Sequence, residues 1–228
     1  MRPSLVAIAA LLLSSGGASG PARPEVERAL PWLHGVTAEA ISDAPSRAAE
    51  ALLRDRWSGG AACTTSSTAS FALVAELAPA PGLETVLASY TAGVVVLDAS
   101  GRRLASAPPF ACSGSADAIE GAAVVEILPG EPAIALAATA GGRAERTTWL
   151  FVLALRGEAL APIFAAPVEE WRGPLVSAGD VTRLGGGALR YRAPDGAISR
   201  WTYDRAAGRY VMRELTRPSP ETTLGPSV

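Results

Sequence analysis

The stretch ETVLASYTAGVVVLDASGRRLA, residues 84–105, decides the fold. Its apolar runs, Val86–Ala88 and Val94–Leu97, are too short for helices and rich in β-branched residues. Each is bounded by Gly, Ser, Asp or Tyr, which is the punctuation of strands. Asp98-Ala99-Ser100-Gly101 has the composition of a hairpin turn. The segment is therefore read as three strands, Thr85–Tyr90, Gly93–Asp98 and Arg103–Ser106.

The same texture runs outward on both sides. Further strands are expected at Phe71–Leu77, Ala122–Leu128, Ala133–Thr139, Thr148–Leu155, Ala159–Phe164, Leu175–Ala178, Ala188–Arg192, Ile198–Tyr203 and Tyr210–Glu214. Arg156-Gly157-Glu158, Pro194-Asp195-Gly196 and the stretch Asp204 to Gly208 supply further turns. The Gly185-Gly186-Gly187 run lacks the spacing of a dinucleotide site and reads as a turn between strands.

Toward the N-terminus the pattern changes. Met1-Arg2-Pro3-Ser4, the apolar run Leu5–Leu13 and the small residues Ser14–Gly20 form the three parts of a secretory signal peptide. Nine apolar residues span about 13 Å as a helix, against about 30 Å of hydrocarbon, so the run is too short for a membrane anchor. Residues 1–20 are thus expected to be removed, with cleavage near 18–20, and the protein to be exported to the periplasm or beyond the cell. Residues 21–60 read as a helical segment. Pro24 suits a first helical turn, Thr37 an N-cap, and Ala49, Leu52, Leu53 and Trp57 form an apolar stripe. Residues 61–215 form the β domain. Residues 216–228, with three Pro and no periodicity, read as a disordered tail.

The expected fold class is accordingly mainly β. Its antiparallel sheets form an incomplete propeller-like array or a β-sandwich, with a small N-terminal helical segment. In an oxidising compartment the pair Cys63 and Cys112 reads as a disulfide. Its closed loop of about 50 residues is worth about 4 kcal/mol.

ETVLASYTAGVVVLDASGRRLA (84–105), EPAIALAATAGGRAERTTWLFVLALRGEALA (131–161) and GALRYRAPDGAISRWTYDRAAGRYV (187–211) repeat one pattern of strand, Gly-containing turn and strand. In this the chain resembles the repeats of FG-GAP/VCBS-type extracellular β-propellers over about 130 residues. The resemblance implies blade-like sheets. The family's Asp-x-Asp-x-Asp-Gly calcium loop does not occur here, so its calcium sites carry over to no residue.

Composition removes many chemistries. All 20 basic residues are Arg, and Lys, Asn and Gln do not occur. Lysine Schiff bases, P-loops and N-glycosylation are thereby excluded. With one His, His34, and two Cys, neither a zinc site nor a Ser-His-Asp triad with a Gly-x-Ser-x-Gly elbow is expected, and no cofactor is implied. His34 reads as an ordinary surface or packing residue. A net charge of −2 argues against nucleic acid as a partner.

Charge is nevertheless segregated. Between Arg183 and Arg217 eight Arg stand against Asp195, Asp204 and Glu214, a local net of +5, interleaved with Tyr191, Trp201, Tyr203 and Tyr210. Arg190, Arg192, Arg200, Trp201 and Tyr203 are therefore the candidate ligand-binding residues, because Arg forks and aromatic faces suit carboxylated or phosphorylated ligands and sugars. The expected function is an exported, non-enzymatic binding or interaction protein, its partner an anionic glycan or another envelope protein. One alternative is a polysaccharide hydrolase built on carboxylates, with Glu169 and Glu170 beside Trp171 and Asp98, Glu126 or Asp180 as partners. Another is a purely structural envelope protein.

Overall fold

The computed structural model describes residues 30–41, 70–78, 82–90, 93–108, 110 and 117–217. The described chain is mainly β and dominated by antiparallel pairing, as the sequence texture requires. Cys63 and Cys112, the leader and the proposed tail beyond Arg217 lie outside the described residues.

Among the described residues fifteen strands form two sheets. The larger is built on a meander of four long strands, β7 (Ala118–Leu128), β8 (Glu131–Gly141), β9 (Glu145–Arg156) and β10 (Ala159–Arg172). Beyond β10 come β6 (Arg103–Ala107), β5 (Gly93–Leu97), β4 (Glu84–Ser89) and β3 (Ser70–Ala75). The β10–β6 junction is parallel, through Ala159 and Ser106. At the other edge β2 (Thr37–Ile41) pairs antiparallel with β7. Strand β3 comes round to lie against β2 and β7, so the sheet nearly closes into a barrel. The short β11 (Leu175–Ala178) extends the far end of β10.

The smaller sheet has the order β1 (Leu33–His34), β12 (Asp180–Leu184), β13 (Ala188–Arg192), β14 (Ile198–Asp204) and β15 (Arg209–Thr216). It lies on the outside of the meander. The β7–β10 sheet is consequently buried on both faces, which explains why EPAIALAATAG reads as an unbroken apolar run. Ile134 and Leu136 of β8 point into the barrel with Val86, Val94, Val96 and Val124. Ala133, Ala135 and Ala137 point the other way, toward Val181, Leu189, Tyr191 and Tyr210 of the smaller sheet.

These alanines leave room for bulky aromatics. Phe164 sits at their centre, edge-on to Trp201 at 5.3 Å, Tyr210 at 6.1 Å and Tyr191 at 6.3 Å between ring centroids. Edge-to-face pairs of this kind add about 0.5–1.5 kcal/mol each beyond area burial. Truncating a fully buried meander residue such as Leu136 to Ala removes methylenes from a packed site and costs about 2–5 kcal/mol. The chain passes between the sheets at Gly179. Its N–H donates to the Val168 carbonyl at 2.8 Å, and a Cβ there would collide with the carbonyl of Arg192.

The helical reading of residues 21–60 is corrected where the segment is described. Leu33–His34 and Thr37–Ile41 are strands. Gly35, at φ +72°, turns the chain between them. Leu33 then pairs in parallel with Val181, and Thr37–Ile41 pairs with Glu126–Ala123. Long-range ladder bonds outweigh local helix signals here. The apolar stripe Ala49–Trp57 lies outside the described residues.

Two further departures concern the extent of one strand and the presence of another. Strand β10 continues well past Phe164 to Arg172, although Pro162 and Pro167 interrupt its pattern. Register shifts between Pro162 and Phe164 and between Pro167 and Glu169 absorb them. Asp180–Leu184, outside the expected strands, is the strand that receives β1.

Candidate functional site

Strands β13 and β14 alternate so that aromatics face the meander and arginines face outward. Tyr191 is buried, and its hydroxyl donates to the Pro167 carbonyl at 2.6 Å. Trp201 donates through Nε1 to Ser199 Oγ at 2.8 Å and packs edge-on to Phe164. Arg190, Arg192 and Arg200 are exposed on the other side. The five candidate residues thus do not converge. Three share the outer face, while Trp201 and Tyr203 are half-buried against the core between the sheets.

On the outer face, register places Thr182, Arg190, Arg200 and Glu214 in one row across β12 to β15. Arg190 and Arg200 are direct cross-strand neighbours. Among the described residues no carboxylate lies within ion-pair distance of either guanidinium. Arg192 differs. Its Nε donates to Asp180 Oδ2 at 2.6 Å and its Nη2 lies 2.5 Å from the same oxygen. Arg213 pairs with Asp204 at 3.6 Å and donates to Thr202 Oγ1.

Tyr203 lies at a second place, a cleft of about 660 Å³ where the β14–β15 hairpin overhangs the end of the barrel. Arg156, at the end of β9, reaches across the seam. Its Nη2 donates to Tyr203 Oη at 2.9 Å and to Glu131 Oε2 at 3.0 Å. Arg205, Leu77, Pro132 and Leu155 also line the walls. Behind Tyr203, whose ring meets that of Tyr210 at 5.5 Å, the Tyr210 hydroxyl is buried without a hydrogen-bond partner among the described residues. Burial pushes its acidity well below that of an ordinary tyrosine. The nearby Arg183 works against this, and Tyr203 and Glu131 reinforce it.

Sequence reasoning finds Tyr203 but misses Arg156 and Arg205 as its companions. Arg156 lies 47 residues away and looks like an ordinary turn residue, so only the packing of one sheet on the other brings the two together.

The carboxylates of the hydrolase alternative each engage a donor of their own. Glu169 Oε1 accepts from Trp171 Nε1 at 2.5 Å, and Glu170 pairs with Arg172 at 3.0 Å. The Trp171 ring is covered by the Arg146 guanidinium, 3.9 Å from its centroid. Glu126 accepts from the Gly130 N–H, and Arg183 bonds its backbone carbonyl at 2.8 Å. Asp98 closes the β5–β6 turn, accepting from the hydroxyl of Ser100 and the backbone of Ser100 and Arg102. These bonds, led by that of the Ser100 hydroxyl, hold its pKa down at about 2. His34 is exposed beside the buried Leu33.

Among the described residues no three His, Cys, Asp or Glu side chains gather as metal ligands, and no helix is long and apolar enough to cross a membrane. No protein-family model matches the chain, and no curated protein or solved structure matches it either.

Proposed function

We propose that the chain is an exported, non-enzymatic binding protein of the cell envelope or extracellular space, and that the outer face of its smaller sheet takes an anionic glycan. The observation that carries this reading is the pairing of Arg190 with Arg200 on an exposed strand surface. Like charges directly opposite each other destabilise a sheet. A carboxylated or sulfated polymer would offset that repulsion, and the planar guanidinium fork matches carboxylate geometry. Thr182 and Glu214 flank the pair and supply further polar groups to a glycan lying across the strands. The signal-type leader and the resemblance to extracellular propeller repeats support the same setting.

The test is a glycan array carrying carboxylated, sulfated and neutral polymers, probed with the full chain and with Arg190→Glu/Arg200→Glu. Retention on the anionic spots that the double variant loses supports the reading. Equal profiles for the two proteins remove this face from it.

A further inference from the structure

The cleft at the seam of the two sheets is separate from the outer arginine face, and its chemistry differs. Its polar equipment consists almost wholly of donors. Tyr203 Oη accepts from Arg156, which leaves its own O–H to donate. Arg156 spends Nη1 on the Leu155 carbonyl and Nη2 on Glu131 and Tyr203, so its Nε–H is uncommitted among the described residues. Arg205 lines the cleft with no acid within ion-pair distance among the described residues. Glu131 is the one carboxylate on the wall among the described residues, and Arg156 already neutralises it at 3.0 Å. Two guanidiniums against one carboxylate leave the cleft with a charge of +1.

Leu77, Pro132 and Leu155 give the opposite side an apolar surface. A concavity of this volume between two packed units, with convergent polar groups beside an apolar wall, has the dimensions and placement of a small-molecule site.

We infer that the seam cleft binds a small organic monocarboxylate, with Arg205, the Nε–H of Arg156 and the Tyr203 hydroxyl taking its carboxylate and Leu77, Pro132 and Leu155 covering its ring or chain. The single net charge favours a monoanion over a dianion such as a phosphate ester. The inference does not rest on the outer face, whose arginines are on the opposite side of the sheet.

The experiment titrates the full chain with D-glucuronate and with benzoate, and with the methyl ester of glucuronate as the neutral control. It is followed by calorimetry and by the NMR signals of the arginine Nε–H groups. The expected result is saturable binding of at least one acid, with shifts at Arg156 and Arg205 and affinity at least about tenfold above that of the ester. Arg205→Ala, a change at an exposed position, and Tyr203→Phe, which keeps the ring, should each weaken binding several-fold. Arg190→Glu/Arg200→Glu should leave it unchanged. Absence of saturable binding by both acids to the folded chain overturns the inference, as does equal affinity for acid and ester, or binding that only the outer-face variant abolishes.

Discussion

Arg190 of β13 and Arg200 of β14 stand directly opposite each other on the exposed face of the smaller sheet. Thr182 flanks the first and Glu214 the second. Replacing Arg190 by Thr keeps a good strand former, relieves the repulsion and leaves Arg200 beside Glu214. The free protein is expected to gain a few tenths to about 1 kcal/mol, measured by denaturant unfolding. A loss of stability would show that the pair is held by something other than a ligand.

The two buried tyrosines between the sheets should respond in opposite senses. Tyr191→Phe deletes the bond to the Pro167 carbonyl and should cost about 1 kcal/mol or more. Tyr210→Phe deletes a hydroxyl with no partner among the described residues and should be neutral or stabilising. Thermal unfolding of the two variants side by side gives the comparison, and equal losses would contradict the geometry.

Glu84 is a buried carboxylate whose Oε2 accepts the Leu77 N–H at 2.7 Å and the Ala78 N–H at 3.4 Å, tying the end of β3 to the start of β4. Glu84→Ala strands the Leu77 donor. The expected cost is about 2 kcal/mol, or a fall of about 4–8 °C in Tm for a chain of this size. The same change should weaken the seam cleft, since Leu77 and Ala78 line it.

Asp98 supplies a pH dependence. Its carboxyl titrates near 2 in the folded protein instead of 3.8, chiefly because Ser100 and Arg102 donate to the charged form. A depressed folded pKa contributes stability above the unfolded value, lost as pH falls through the folded one. Wild-type stability should therefore decline between about pH 4 and 2 more steeply than that of Asp98→Asn, where this contribution is absent. A carboxyl-carbon NMR titration of Asp98 with its midpoint near the ordinary value would refute the turn geometry.

The β architecture is largely legible in the amino-acid sequence. From Phe71 to Glu214 the strands other than β12 announce themselves because their burial alternates or is complete, and because Gly, Asp and Pro sit at the turns. Strands β1 and β2 are not legible in this way. Leu33 and Thr37 look helical in isolation and become strands only through partners 148 and 89 residues away, Val181 and Glu126. Strand β10 hides its length because proline breaks the period, and two bulges repair what the pattern cannot express. At the candidate site, period-two alternation correctly sets Arg190 and Arg192 on one face and Tyr191 on the other. It cannot show that Trp201 and Tyr203 are turned inward, since which face is solvent is decided by the meander that covers it. The Arg156–Tyr203 contact belongs to the same class of long-range facts.

The most direct measurement of the proposed function is a binding isotherm on immobilised polygalacturonate for the wild type and for Arg190→Glu/Arg200→Glu, at low and at physiological ionic strength. An exposed arginine pair acts through screened charge. Wild-type binding should be saturable, weaken with salt and disappear in the double variant, while thermal unfolding shows both proteins folded. Superimposable isotherms for the two proteins at low salt would contradict it.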